Sequence, residues 1–359
     1  MITEKIKVSV PGKVHLLGEH AVVYGKPALL AAIDKRCFIT LTPSKNSCIK
    51  ISSTNVKRTK EYTFEQIGEL RDKARKEWEE FNKNADLSIL QSITQDEMDF
   101  IAIAIGETFD YFQTKISSGF FLQIKSDIPV GTGLGSSAAV AVAVIAAVTV
   151  FLDKKIEDHK EQINEIAFLV EQKKHGNPSG GDNATVCFGG LIWFHKETQK
   201  LNIIQQLPFS ISDDVSKNFM FLDTGRPKES TGEMINLVKQ KYKNQEQLVR
   251  NIFDDQEKLT RNIVSALKNT DGNEVIRIIK AGESNLEKLG VVSETTKRLI
   301  HEIEQSGGAA KISGGGGKTA ATGILLVYHR NKKIIQTIAK IYKLEYFNTT
   351  LGVEGVRYD

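Results

Sequence analysis

The chain has little cysteine. Its 359 residues include only three cysteines, Cys37, Cys48 and Cys187, which lie far apart and show no CxxC spacing. This set argues against a disulfide framework or a zinc site and fits a reducing cytoplasm. Long apolar runs are lacking too: the N-terminus shows no signal region, and the longest run, residues 138–152, is shorter than the roughly 20 residues of a membrane-spanning helix. We therefore expect a cytoplasmic protein without a membrane anchor.

An excess of one charge is also lacking. The 48 Lys and Arg residues face 44 Asp and Glu residues, for a net charge of +4, and the basic residues are scattered along the chain. Proteins that bind nucleic acid usually show a basic patch or stripe, so we expect no nucleic-acid partner. A chain of this length exceeds what one hydrophobic core usually fills. We predict two lobes, residues 1–200 and 201–359, with a cleft between them.

Two common nucleotide-binding patterns are absent. The dinucleotide pattern GxGxxG, counted from Gly131, requires glycine where the chain has Ser136. Gly317-Lys318-Thr319 resembles the end of a Walker A loop, but the first glycine of that pattern is replaced by Ile312. The sequence therefore excludes Rossmann and P-loop nucleotide sites.

The segment DIPVGTGLGSSAAV, residues 127–140, is the most informative part of the sequence. Alternating glycines precede two serines and a run of small apolar residues, which predicts a helix over residues 138–152 with Ser136 or Ser137 as its N-cap. A helix that opens from a glycine turn presents free N–H groups and a positive dipole end, and both favour phosphate. The alternative is a tight strand-to-helix turn that needs glycine only for its geometry.

The remaining periodicity predicts strands and helices that do not alternate strictly, which favours an α+β fold. The charged segment 57–84 places Leu70, Ala74, Trp78 and Phe81 at helical spacing, so we predict a solvated helix within an insertion or lid. Strands are predicted at residues 5–10, ending at a Pro11-Gly12 turn, and at 28–33, 37–42, 119–125, 218–224, 309–313, 322–329 and 346–350. Helices are predicted at residues 96–111, 160–173, 229–243, 258–267, 274–289, 294–305 and 331–341.

Three further segments carry candidate functional groups. PGKVHLLGEHAVVYG, residues 11–25, contains Lys13, Glu19 and His20. The loop HGNPSGGDN, residues 175–183, carries Asp182 and follows a helix whose last turn holds Glu171. Asp182 has the alternative of capping a turn at residues 184–187, and Glu171 that of lying on a solvated helix face. A carboxylate near a helix C-terminus faces the unfavourable dipole end, which a bound Mg²⁺ would offset.

The third segment, AAKISGGGG at residues 309–317, runs from a strand into four consecutive glycines. Ordering four glycines costs conformational entropy, which indicates that a large group approaches the backbone there, and the alternative is a mobile loop. PGKVHLLGEHAVVYG, DIPVGTGLGSSAAV and KISGGGG, in this order and spacing, resemble the three motifs of the GHMP kinases. The GEHAVVYG ending and the HGNPSGGDN loop are similar to those of mevalonate kinases in particular.

The resemblance implies an N-terminal lobe with a left-handed βαβ element, a ferredoxin-like C-terminal lobe and ATP in the cleft between them. Lys13 and Asp182 match the catalytic pair, Ser137 and Glu171 match Mg²⁺ ligands, and Glu19 and His20 lie where the family contacts substrate. The phosphate loop matches Gly131, Gly133, Leu134, Gly135, Ser136, Ser137 and Ala138. In physical terms, Asp182 accepts the proton of a primary alcohol, while Lys13 favours the ionised carboxylate and stabilises developing negative charge.

The function implied is transfer of the γ-phosphoryl group of ATP to the primary hydroxyl of (R)-mevalonate, in isoprenoid precursor synthesis. The alternatives are phosphomevalonate or another acceptor of the superfamily, and, from a different class, a non-catalytic ligand sensor on the same fold. The sequence leaves open whether the chain forms a homodimer. His15 and Leu17 differ from the usual residues of the first motif, so we expect a reshaped wall of the active site.

Overall fold

The computed structural model describes residues 4–84, 86, 88–90, 96–114, 118–197 and 202–359. Helices and two β-sheets are interspersed along the chain, so the α+β prediction is confirmed. The strands in chain order are β1 (Ile6–Leu17), β2 (Ala28–Pro43), β3 (Cys48–Ser53), β4 (Arg58–Thr63), β5 (Phe120–Ser126), β6 (Leu191–Lys196), β7 (Asn202–Gln206), β8 (Phe219–Asp223), β9 (Ala309–Ile312), β10 (Ile324–Tyr328), β11 (Glu345–Asn348) and β12 (Arg357–Tyr358).

Most helices lie near their predicted positions, but the helix predicted at residues 258–267 begins already at Glu246, and a 3₁₀ turn lies at Ala21–Tyr24. They are α1 (Phe64–Asn84), α2 (Glu97–Tyr111), α3 (Ser136–Phe151), α4 (Lys160–His175), α5 (Gly181–Phe188), α6 (Asp213–Ser216), α7 (Thr231–Asn244), α8 (Glu246–Lys268), α9 (Gly272–Leu289), α10 (Glu294–Gln305) and α11 (Lys332–Tyr342). In the part of the chain that the structure describes, no helix is both long and apolar enough to cross a membrane.

The first sheet has eight strands and the second has four. The order of the first is β12-β1-β2-β5-β3-β4, with β6 joined to β2 and β7 joined to β6; the order of the second is β11-β8-β10-β9. The pairs are antiparallel except for β3 with β5. Strands β7 and β12, both beyond residue 200, thus belong to the first sheet. The predicted lobe boundary between residues 200 and 201 lies outside the described residues and stays a prediction.

Strand β1 corrects the prediction that the first strand ends in a turn at Pro11-Gly12. The strand continues to Leu17, and its pairing with β2 shifts register between Pro11 and Gly12. Proline lacks the N–H that a regular ladder needs and is tolerated at a bulge, which explains why the shift falls here. As a consequence, Lys13 lies on a strand and not in a turn.

Strand β2 was predicted as two pieces but is one continuous strand. Residues 28–31 pair with β6, and residues 37–43 pair with β5. The apolar helix α3 packs across β1 and β2 and against α2 and α4. Twelve of its 16 residues are buried, as expected for a helix that is apolar on most of its surface.

The N-terminus of α3 corrects the predicted cap. The N-cap residue is Gly135, in the left-handed region with φ 72°, and no side chain caps this end. Ser136 and Ser137 are instead the first two helical residues. The backbone N–H groups of the first turn therefore remain free of side-chain capping, and the Ser137 hydroxyl bonds elsewhere.

Candidate active site

The glycine loop between β5 and α3 lies where the two sheets approach each other. Gly131, Gly133 and Gly135 all have positive φ, at 75°, 86° and 72°. Lys13 N–H donates to the carbonyl of Leu134 at 3.0 Å, and Ile324 N–H donates to that of Thr132 at 3.3 Å. The loop is therefore held by β1 on one side and by β10 on the other, and it opens onto the uncapped start of α3.

The third glycine segment faces this loop. A Cβ placed on Gly133 would lie 2.6 Å from the carbonyl oxygen of Ser313, which leaves no room for a side chain. Gly314 and Gly316 also have positive φ. The close approach predicted for the KISGGGG segment is thus a contact between two glycine loops, one from each sheet.

Lys13 and Asp182 are brought together, although they are far apart in sequence. Lys13 Nζ lies 3.0 Å from Asp182 Oδ1; the lysine side chain is buried, while that of Asp182 is 39% exposed. Asp182 sits in the first turn of α5, whose N-cap is Gly180, so the alternative that Asp182 caps a turn at residues 184–187 is wrong. Its carboxylate contacts the lysine and stays partly exposed.

Ser137 and Glu171 form a second pair beside the glycine loop. The Ser137 hydroxyl donates to Glu171 Oε1 at 2.6 Å. Glu171 is 5% exposed, which contradicts the alternative of a solvated helix face. His175 Nε2 lies 3.5 Å from the other carboxylate oxygen. The apolar stripe of α4 runs through Ala167 and Val170, and this spacing places Glu171 on the buried side.

Glu19 and His20, the predicted substrate contacts, both point into the structure. Glu19 forms a fully buried ion pair with Lys311 of β9, and one of its carboxylate oxygens has no partner among the described residues. His20 Nε2 donates to the carbonyl of Gly315 at 3.0 Å, and burial lowers the pKa of His20. The two side chains connect the end of β1 to the third glycine segment. Their contact with substrate stays a prediction.

Lys311 was missed by sequence reasoning. Its ammonium donates to the carbonyl of Ile312 at 2.6 Å and to that of His15 at 3.3 Å, in addition to Glu19. Glu283 of α9 accepts from Ile312 N–H at 3.0 Å, and burial raises the pKa of Glu283 well above its usual value. A single lysine inside an apolar strand was the available signal, because such a lysine requires a buried partner.

Helix α1 supports the segment that precedes Asp182. The Trp78 indole N–H donates to the carbonyl of Gly176 at 3.1 Å. A Cβ on Gly176 would lie 2.6 Å from the ring of Phe81, so this ring packs directly on the backbone. Lys173 lies with its ammonium 5.0 Å from the centre of the Trp78 ring. The segment 57–84 thus contains strand β4 and then α1, whose apolar face contacts Gly176 at the start of the loop; its role as an insertion or lid stays a prediction.

Comparison with known proteins identifies the class to which this architecture belongs. The profile described as the GHMP kinases N terminal domain matches residues 101–190, which include the glycine loop, α3, Glu171 and Asp182. A mevalonate kinase of Pyrococcus abyssi is 30% identical over 330 residues, which cover 87% of this chain and 86% of that protein. The mevalonate kinase of Schizosaccharomyces pombe is 27% identical over 386 residues, covering 99% and 92%.

The fold agrees with these similarities. The crystal structure of Methanococcus jannaschii mevalonate kinase superimposes with a TM-score of 0.76 at 23% identity, over 97% of this chain and 98% of that one. The chain belongs to the GHMP kinase superfamily and, within it, to the mevalonate kinase family.

Proposed function

We propose that the chain is an ATP-dependent mevalonate kinase that phosphorylates the primary hydroxyl of (R)-mevalonate. One observation carries the proposal: the buried Lys13 ammonium lies 3.0 Å from the half-exposed carboxylate of Asp182. This pair stands directly beside the glycine loop, because Lys13 N–H bonds to Leu134 within that loop. A carboxylate that can accept a proton therefore lies next to a backbone suited to hold phosphate.

The reaction forms a bond between the hydroxyl oxygen of mevalonate and the γ-phosphorus of ATP, and it breaks the bond from that phosphorus to the β,γ-bridging oxygen. Asp182 takes the hydroxyl proton as the new bond forms, and ADP leaves with the bridging oxygen. Lys13 offsets negative charge on the transferring group, while N–H groups of the glycine loop and of the first turn of α3 bind the phosphates. General-base assistance of this kind typically contributes about 10²–10⁴-fold to the rate.

The residues present fit a Mg²⁺ ion. Ser137 and Glu171 would supply two oxygen ligands from neighbouring helices; their oxygens lie 2.6 Å apart. Among the residues described, no group of three or more His, Cys, Asp or Glu side chains is placed to hold a metal. Mg²⁺ is usually bound by one or two protein oxygens together with phosphates and water, so this pair suits it. When bound, the ion neutralises charge on the β- and γ-phosphates.

The experiment is an assay of ADP release with Mg²⁺-ATP and four acceptors: mevalonate, phosphomevalonate, homoserine and galactose. We expect turnover of mevalonate alone, and a loss of at least about 100-fold in kcat for Asp182→Asn, with ATP binding retained. This substitution removes charge at nearly constant volume. Turnover of another acceptor would reassign the substrate, and near-normal kcat in Asp182→Asn would overturn the role of that residue.

Absence of turnover with every acceptor, together with measurable ATP binding, would favour the ligand sensor. A cytoplasmic location and a homodimer stay predictions. Size-exclusion chromatography with light scattering measures the second of these directly.

A further inference from the structure

His15 occupies an unusual place two residues after Lys13. In strand β1, residues two apart share one face of the sheet, so the two side chains extend to the same side. His15 Nδ1 lies 3.1 Å from Lys13 Nζ. The resemblance to the first motif predicted only that the wall of the site is reshaped at this position.

The chemistry of the two groups fixes the direction of this hydrogen bond. A lysine ammonium has three N–H donors and no acceptor, so Nδ1 must accept and the ring proton must reside on Nε2. The ring is held neutral in these surroundings: burial first, and then the charges of Lys13, Lys311 and His20, lower the pKa of His15 well below its usual value. The carboxylates nearby face the two lysines, since Asp182 pairs with Lys13 and Glu19 with Lys311.

We propose that His15 is a positioning residue, which fixes the Lys13 ammonium so that it faces Asp182 and the transferring phosphoryl group. This inference rests on the proposed kinase function. The ammonium donates one N–H to His15 Nδ1 at 3.1 Å and forms an ion pair with Asp182, whose Oδ1 lies 3.0 Å from Nζ. The hydrogen bond to His15 limits rotation of the ammonium, and its two other N–H groups are left for Asp182 and the phosphate.

The lysine stem is confined as well. A Cβ on Gly135 would lie 2.7 Å from Lys13 Cγ, so the stem lies against the backbone of the glycine loop. The remaining freedom of Lys13 is rotation and tilt of its end, and these are the motions that an acceptor at position 15 restricts. His15 does not itself need to touch substrate for this effect.

Three substitutions at position 15 test the acceptor. In His15→Leu the acceptor is lost, and we expect kcat to fall about tenfold, as for one charge-assisted hydrogen bond. The KM values for ATP and mevalonate should stay within about twofold, because uniform binding is not changed. His15→Asn places an amide oxygen near the position of Nδ1, so kcat should return to within about threefold of wild type.

His15→Gln is the matched control, because its longer side chain puts the amide oxygen near the position of Nε2. We expect it to be as slow as His15→Leu. An unchanged kcat in His15→Leu overturns the proposal, and so does an Asn variant that is as slow as the Leu variant. Thermal unfolding of all three variants shows whether a loss of rate merely reflects a loss of folded protein.

A measurement independent of turnover completes the test. Two-bond ¹H–¹⁵N spectra of the histidine rings report tautomer and charge, and the His15 signals are those absent from His15→Asn. We expect a neutral ring protonated on Nε2 at pH 7, and a higher pKa of His15 in Lys13→Met. An imidazolium, or a ring protonated on Nδ1, overturns the proposal. Wild-type protein that turns over no acceptor refutes the kinase function alone, and the spectra still decide whether His15 holds Lys13.

Discussion

A methyl group at Gly135 should displace Lys13 and slow the reaction. In Gly135→Ala the new Cβ would lie 2.7 Å from Lys13 Cγ and 3.2 Å from Cε. Carbon atoms normally approach to about 3.5–4.0 Å, so the stem must retreat by about 1 Å. A displacement of about 1 Å can cost a factor of about 100 in rate. We therefore expect kcat to fall between about 10- and 100-fold.

The backbone contributes a separate effect that needs its own control. Gly135 has φ 72°, and a residue with a Cβ loses about 1–2 kcal/mol in this left-handed region. Gly307 has φ 95°, and a Cβ added there would meet nothing within 4 Å. Gly307→Ala therefore carries backbone strain of the same kind without the clash with Lys13.

The assay compares kcat and the thermal unfolding midpoint of both variants with those of wild type. We expect both proteins to lose stability and Gly135→Ala alone to lose turnover. Two results would refute the reasoning: a kcat of Gly135→Ala within about threefold of wild type, or an equal loss of kcat in Gly307→Ala.

Three further outcomes are expected. Ser137→Ala should raise the Mg²⁺ concentration that gives half-maximal rate at least about tenfold. A Mg²⁺ titration at saturating ATP measures this concentration, and an unchanged value would contradict the role of Ser137 as a ligand. Trp78→Phe keeps an aromatic ring but removes the indole N–H that bonds to Gly176, so kcat should fall about fivefold in steady-state assays. The control Trp193→Phe on β6 should leave kcat unchanged, and equal effects of the two substitutions would count against support of the loop by α1. The pKa values of His15 and His20 are lowered in the folded state, so the unfolded chain binds more protons than the folded chain below about pH 6.5. As the pH decreases below this value, these two histidines should lower the free energy of unfolding, each by at most about 1.4 kcal/mol per pH unit. The raised pKa of Glu283 acts in the opposite direction, so the measurement is urea unfolding of wild type and His15→Asn at pH 7.5 and 5.5, and an equal pH dependence of the two proteins would contradict the neutral state of the His15 ring.

Local features of the site were predictable because their physics is local. Alternating glycines followed by small apolar residues predicted the loop and α3, with the start of the helix off by two residues. The prediction of Ser136 or Ser137 as the N-cap of α3 was wrong because Gly135 takes the N-cap position, so neither serine is needed there. The burial of Glu171 could have been predicted from the apolar stripe of α4, because Glu171 lies one turn after the buried Ala167.

Contacts across the chain were not predictable from pattern. Glu19 and Lys311 are 292 residues apart, and their pairing depends on how the end of β1 meets β9. The hydrogen bond from Lys13 to His15 could be predicted only with the knowledge that β1 continues through Pro11-Gly12. Sequence showed which residue types were present in each segment, and only the topology showed which of them meet.

The last strand has a consequence for the order in which this chain folds. β12 pairs with β1, with Val8 opposite Tyr358, and Arg36 donates to the carbonyls of Glu354 and Gly355. The edge of the first sheet, next to the strand that carries Lys13, is therefore completed by residues that leave the ribosome long after β1. Contacts of such sequence separation form slowly. During synthesis β1 must wait with an unpaired edge, which makes the nascent chain, rather than the finished protein, the form most exposed to mispairing.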